Sequence, residues 1–341
     1  MNHKPRTTKP RARFALAALA FGQLAPAQPI AAEPEAPPRW EVTLPALPLT
    51  LNEVEGRFIV GLGLNGLAWV DSTPGKTGEP PVLNTAAYQT LGTLEVEDGG
   101  VLLAGRDSTL RLLRFLPGEE QPHLVFEVPA EGIPSGLALR GNVLAVASGG
   151  AGVGIWNWPE GDEPPRLVGR YPFVDYAKET AFYDETTLLV SDAHNAGLWV
   201  LDVSDPRRPH RRQHLPAYSF ADSAATDGTY AAFTDRAFGT WIARRPGPAE
   251  TPFEVTQQIP IIPPPQDQYH VERTRFDART GTLLVIEGWG GVRCWQPGPN
   301  GWESTGTYAG GEQVMDAVLL EDGRLATISG NNRLTVRPIE E

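Results

Sequence analysis

The sequence predicts an all-β chain folded as a seven-bladed β-propeller. Three observations carry that prediction. One strand-and-turn unit recurs seven times, a turn-forming residue anchors six of the seven copies, and a stretch near the N-terminus supplies the strand that the last copy lacks. The unit is clearest at Gly197–Pro206, GLWVLDVSDP. Aligned on its glycine, the copies begin at Gly66, Thr109, Gly152, Gly197, Gly239, Gly291 and Asn332, which by subtraction lie 43, 43, 45, 42, 52 and 41 residues apart. A period of about 40–45 residues is that of a four-stranded propeller blade.

Each strand of the blade has its own signature. Glycine or asparagine holds six of the seven anchors, and these residues enter positive φ at the least steric cost, as a tight hairpin requires. The anchor opens strand C. Before it runs an apolar strand B, as in Arg57-FIVGLG, Asn142-VLAVAS and Gly323-RLATIS. After strand C comes a Pro/Gly-rich turn, for example LPGEEQP and SDPRRP, in six of the copies. Strand D follows, as in His123-LVFEV and Arg166-LVGRY, and strand A then opens the next blade. The seventh copy ends just after its strand C. Trp40-EVTLPALP resembles the D strands (compare Leu124-VFEVPAEG), so residues 40–45 are expected to complete the last blade and close the ring. Closure removes an edge strand that would otherwise invite pairing with other chains.

The first 32 residues read as a secretory signal peptide. Lys4, Arg6, Lys9, Arg11 and Arg13 precede a short apolar run, Phe14 to Ala25, and Ala27 and Ala32 are both suitable cleavage positions. The run is far below the ~20 residues of a membrane span. The remaining chain, residues 33–341, is expected to be one propeller domain, exported to the periplasm or outside the cell, and monomeric. The net charge is −12, and removal of five cations with the leader takes it to −17. That acidity excludes nucleic acid as an expected partner, because phosphate binding needs a basic face. Cys294 is the only cysteine, so the exported chain has no internal disulfide.

At GLWVLDVSDPRRP, preceded by Leu188-LVSDAHNA, the sequence resembles the LVIVD-repeat family of bacterial and archaeal β-propellers. The match is close in the fourth copy, about residues 177–215, and partial in the first, where Leu67-AWVDSTP keeps an Asp and a Pro. The other copies lose the DVSDP turn. The resemblance implies an exported or cell-surface propeller and names no activity.

Function classes follow from where a propeller places its loops. Strand A lines the central channel, and the D–A and B–C loops emerge at one end of it. Aligned A strands place Glu179, Asp222, Glu272 and Asp316 at one offset, around part of the channel mouth. At ~8 Å and an effective dielectric near 20, each like pair costs about 2 kcal/mol. Relief comes from a bound cation such as Ca²⁺ or Mg²⁺, which suit hard oxygen ligands, or from the neighbouring Lys178 and Arg273. The alternative is that each acid caps its own turn. The B–C loops add Asp107, Asp192, His194, Asn195, Asp235, Arg236, Glu287 and Trp289; the D–A loops add Tyr176, Tyr218, Tyr269 and His270. Aromatic and polar groups around a concavity suit protein or carbohydrate recognition. The long fifth-to-sixth step holds Ile259-PIIPPPQDQYHVE, a proline-stiffened loop placed where binding is expected. The leading expectation is a binding module using the D–A/B–C face. The rival is a cation-dependent hydrolase or lyase on a sugar or lactone, with His270 or His194 as base. Gly61-LGLNG mimics a dinucleotide fingerprint, but no helix follows it. The tryptophans at 156, 158, 199, 241 and 295 fall in C strands, where packing accounts for them.

Overall fold

The structure, a computed structural model, describes residues 40–71, 82–116, 119–261, 270–308 and 312–339. The expected leader lies outside these residues. The described residues form 28 strands, β1 to β28 in chain order, arranged as seven four-stranded antiparallel sheets. Blade 1 is β2 (Thr50–Val54), β3 (Arg57–Gly61), β4 (Leu67–Asp71) and β5 (Leu83–Ala86). Blade 2 is β6 (Gly92–Val96), β7 (Gly100–Gly105), β8 (Thr109–Arg114) and β9 (His123–Pro129). Blade 3 is β10 (Gly136–Arg140), β11 (Val143–Ala147), β12 (Val153–Asn157) and β13 (Arg166–Tyr171). Blade 4 is β14 (Ala177–Phe182), β15 (Thr187–Asp192), β16 (Gly197–Asp202) and β17 (His210–Pro216). Blade 5 is β18 (Ala224–Thr226), β19 (Tyr230–Asp235), β20 (Gly239–Arg244) and β21 (Glu254–Ile259). Blade 6 is β22 (Arg273–Asp277), β23 (Thr282–Ile286), β24 (Val292–Gly298) and β25 (Gly301–Tyr308). Blade 7 takes β26 (Val314–Leu319), β27 (Arg324–Ser329), β28 (Arg333–Pro338) and, from the other end of the chain, β1 (Trp40–Thr43).

Closure is therefore as expected. Trp40 pairs with Val336 and Thr43 with Arg333, and the Leu44 amide donates to the Asn332 carbonyl at 2.7 Å. Trp40, Val42 and Leu44 are buried in the cluster that joins blade 7 to blade 1, where the Trp40 ring meets Phe58 at 5.6 Å. No helix among the described residues is long and apolar enough to cross a membrane.

Burial follows position in the blade. Strands B and C are covered on both faces by neighbouring blades, so β7, β15 and β16 are buried along their whole length. The outer D strands carry polar residues outward, as β9 and β21 do. The anchor glycine has two reasons to be glycine. Gly197 has φ +142°, and a Cβ there would lie 2.2 Å from the Leu215 carbonyl oxygen of strand D. In blade 2 the positive φ sits one residue earlier than the alignment places it, at Ser108 (60°) rather than Thr109.

A second regularity is invisible in the sequence. The C–D register shifts after Leu112, Ile155, Val200, Ile242 and Cys294, in each case three residues past the anchor. Such bulges increase local twist, and here they turn the outer strand of five successive blades.

Candidate functional site

The mouth of the channel at the D–A/B–C end is a cavity of about 300 Å³ to which all seven blades contribute. It has two sides. Leu49, Leu91, Ile133 and Met315 form an apolar arc on blades 7 through 3. Lys178, Glu179, Asp222, Arg236, Glu272 and Arg273 form a charged arc on blades 4 to 6. Leu49, Leu91 and Ile133 occupy the D–A segments of the three copies that lack an acid at the aligned offset, whereas Met315 stands beside Asp316 in β26.

Three of the four aligned carboxylates reach this mouth, and each has a partner. The Glu179 carboxylate lies 3.9 Å from the Arg273 guanidinium, and Asp222 lies 3.7 Å from Arg236. Glu272 accepts from His270 at 2.6 Å and from Gln313 at 2.9 Å. Burial raises the Glu272 pKa, but these bonds and the nearby His270 and Arg236 charges outweigh it and hold the carboxyl below its usual range. Burial likewise opposes the charge on Arg273, and Asp316, Glu179, Glu272 and Asp222 together push its pKa up instead. Arg273 is the electrostatic hub of the charged arc.

Asp316 does not face the mouth, which corrects the sequence expectation. It is fully buried and ties three A strands together. Its carboxylate accepts from the Leu51 amide of blade 1 at 2.9 Å, from Arg275 of blade 6 at 2.7 Å and from Arg273 at 3.3 Å. The chain of bonds continues from Arg275 to Asn52 and from Asn52 to Thr93, so a polar girdle runs along the channel wall from blade 6 to blade 2. The A strands also crowd closely on the other side of the channel, between blades 3 and 4, where a Cβ on Gly136 would stand 2.5 Å from the Glu179 Cα.

The loop residues also divide. Asp192 and Asp235 are buried and act as internal caps rather than binding groups. Asp192 accepts from the amides of Asp175, Tyr176, His194 and Asn195 and from the Trp199 indole. Burial raises its pKa, and those backbone donors overcome the effect and lower it. Asp235 plays the same part for the Tyr218 amide, Ser219 and the Trp241 indole. Glu287 is buried against Arg293, which also holds the Pro260 carbonyl at the base of the long loop. Asp107 pairs with Arg111. His194 stands half-exposed, its ring 4.6 Å from that of Tyr176 at the mouth, and Trp289 is exposed on the blade 6 B–C turn. Tyr269 and most of the proline-rich loop, residues 262–269, lie outside the described residues.

Arg273, Arg236 and His270 already stand against the carboxylates, and no group of three His, Cys, Asp or Glu residues among those described is placed to hold a metal ion.

Sequence reasoning missed the apolar side. Phe173, Phe220, Phe238, Leu64 and Leu47 are exposed in the D–A and B–C loops, as are Tyr218, Ile133 and Trp289. Tyr218 packs against Phe238 and Trp241 at 5.5 and 5.8 Å, so this part of the face presents an ordered aromatic ridge.

The chain is a β-propeller. Its fold is similar to that of a chain in the crystal structure of the mitotic checkpoint complex, with a TM-score of 0.69 over 95% of this chain and 100% of that one, at 11% identity. It is also similar to the WD40 β-propeller domain of Doa1, with a TM-score of 0.66 over 88% and 95% of the two chains, at 8% identity. At such identities the likeness is one of fold. No family model matches the chain, and no curated protein matches it. The resemblance to LVIVD-repeat propellers, close in the fourth copy and partial in the first, thus has no support from these comparisons.

Proposed function

We propose that this propeller is an exported interaction module that captures a protein partner across its D–A/B–C face. One observation carries the reading. Of eleven exposed large hydrophobic residues among those described, eight (Leu47, Leu64, Ile133, Phe173, Tyr218, Phe220, Phe238 and Trp289) lie in the loops of that one face. Exposed apolar surface concentrated on one side marks an interaction site, whereas scattered residues need no explanation. The two-sided mouth at the centre suits a polypeptide segment with an apolar and a polar edge. The similar folds agree with the reading, since one comes from a multi-protein complex. Export rests on the basic start, short apolar run and small-residue cleavage positions of residues 1–32, and mass measurement of the mature chain tests it.

The binding test pairs the wild-type chain with a Tyr218→Ala/Phe238→Ala variant in an unbiased pull-down under matched expression. The variant is expected to lose captured proteins while its melting temperature stays within a few degrees. Retention of every partner by a folded variant would overturn the reading.

A further inference from the structure

We propose a second docking site, between blades 2 and 3 at the A–B/C–D end, that takes a basic side chain flanked by apolar residues on a partner polypeptide. It stands apart from the opposite face and does not rest on the reading given above.

The site is a groove of about 450 Å³. Val96 and Leu112 of blade 2 and Leu139 and Trp158 of blade 3 give it an apolar lining, with Val96 and Leu112 buried and Leu139 and Trp158 partly open. Its walls are held by backbone bonds: the Trp158 amide donates to the Asn142 carbonyl at 2.8 Å, and the Gly100 amide to the Glu97 carbonyl at 3.3 Å. The Trp158 ring is braced edge-on by Phe126 at 5.9 Å.

Charge selects the occupant. Glu97, Asp98 and Glu160 line the groove, are solvent-exposed, and make no ion pair among the described residues. The one cation in the lining, Arg114, is engaged by Asp162 at 2.8 Å. An apolar groove edged by three unneutralised carboxylates matches a lysine or arginine, whose methylene stem lies on apolar surface while its head reaches the acids. Trp158 adds a ring over which a cation is attracted. An acidic or purely apolar segment would leave those carboxylates uncompensated.

Calorimetric titration of the full chain with the blocked peptide acetyl-Ala-Leu-Arg-Leu-Ala-amide, beside its Arg-to-Gln counterpart, tests the site. The arginine peptide is expected to bind saturably, at least tenfold more tightly than the glutamine peptide. Its affinity should fall at least tenfold in Glu97→Gln/Asp98→Asn/Glu160→Gln and disappear in Leu139→Arg, which fills the groove. It should persist in Tyr218→Ala/Phe238→Ala. No saturable binding to the wild-type chain, equal binding of the two peptides, or loss in the aromatic variant with retention in the triple variant would each overturn the proposal. The peptide pair needs no mutant, so the result does not depend on any variant folding.

Discussion

Asp316→Ala should destabilise the ring by about 3–5 kcal/mol, the cost of removing one partner from a buried ion pair. The Asp316 carboxylate is wholly buried and serves the Arg275 guanidinium at 2.7 Å, Arg273 at 3.3 Å and the Leu51 amide at 2.9 Å. Its removal leaves Arg275 without an ion-pair partner in the channel wall, takes one of its carboxylates from Arg273, and leaves a buried amide without its acceptor, which alone costs about 1–3 kcal/mol. Asp316→Asn keeps an acceptor for Leu51 and loses only the charge, so it should cost less, about 2 kcal/mol. Adding Arg275→Met to Asp316→Ala removes that stranded cation. The pair should therefore be less than additive, by at least about 1 kcal/mol. Guanidinium denaturation followed by tryptophan fluorescence measures wild type, Asp316→Ala, Asp316→Asn, Arg275→Met and the double variant, with the slope expected unchanged. An Asp316→Ala variant within about 1 kcal/mol of wild type, or strict additivity with Arg275→Met, would refute the claim that this carboxylate binds blades 6, 7 and 1 together.

Deleting Trp40–Pro45 strips blade 7 of its outer strand and exposes the surface against which Trp40, Val42 and Leu44 were buried. At about 1.5–3 kcal/mol per large buried side chain the loss reaches about 5–9 kcal/mol as an upper estimate, so calorimetry should show a drop in melting temperature well beyond ten degrees. The Cys294 thiol is pushed up to about 11 by burial. Iodoacetamide at pH 8 should leave it unmodified in the native protein and alkylate it in denaturant, as mass spectrometry would show. The Asp184 carboxyl is held at about 2, because Arg245 and the Thr186 and Thr187 hydrogen bonds outweigh the opposing effect of burial. Its folded pKa lies below its unfolded value, so its stabilisation is present above about pH 4 and is lost as pH falls towards 2. Asp184→Asn should flatten the acid limb of a melting-temperature profile in that window.

What could be read in advance was whatever the repeat itself enforces. The anchor glycines were legible because positive φ and the approaching strand D carbonyl leave almost no alternative at Gly197. The closing strand was legible because Trp40-EVT carries the alternation of a D strand and blade 7 lacks one. The role of Asp316 was not legible in the same way. By offset it matches Glu179, yet in blade 7 the next A strand belongs to blade 1, which offers the Leu51 amide, while blade 6 offers Arg275. Those partners are 265 and 41 residues away and meet only once the ring is closed, so nothing near Asp316 announces them. Asp192 and Asp235 misled for a related reason. An acid at a turn looks solvent-facing, but here the preceding D–A loop brings amides that need an acceptor, and the carboxylate is drawn inside.

The apolar arc of the mouth had a signal that a search for acids passes over. Leu49, Leu91 and Ile133 stand in the very copies where no acid occurs. Divergence between repeats is thus informative in itself. Identical blades would build a mouth of one character, whereas these seven build an apolar side and a charged side. A ring with two sides has a direction across it. A partner that crosses this face is therefore expected to bind in one orientation, and exchanging the two sides by Leu91→Glu with Glu179→Leu should weaken capture more than either change alone.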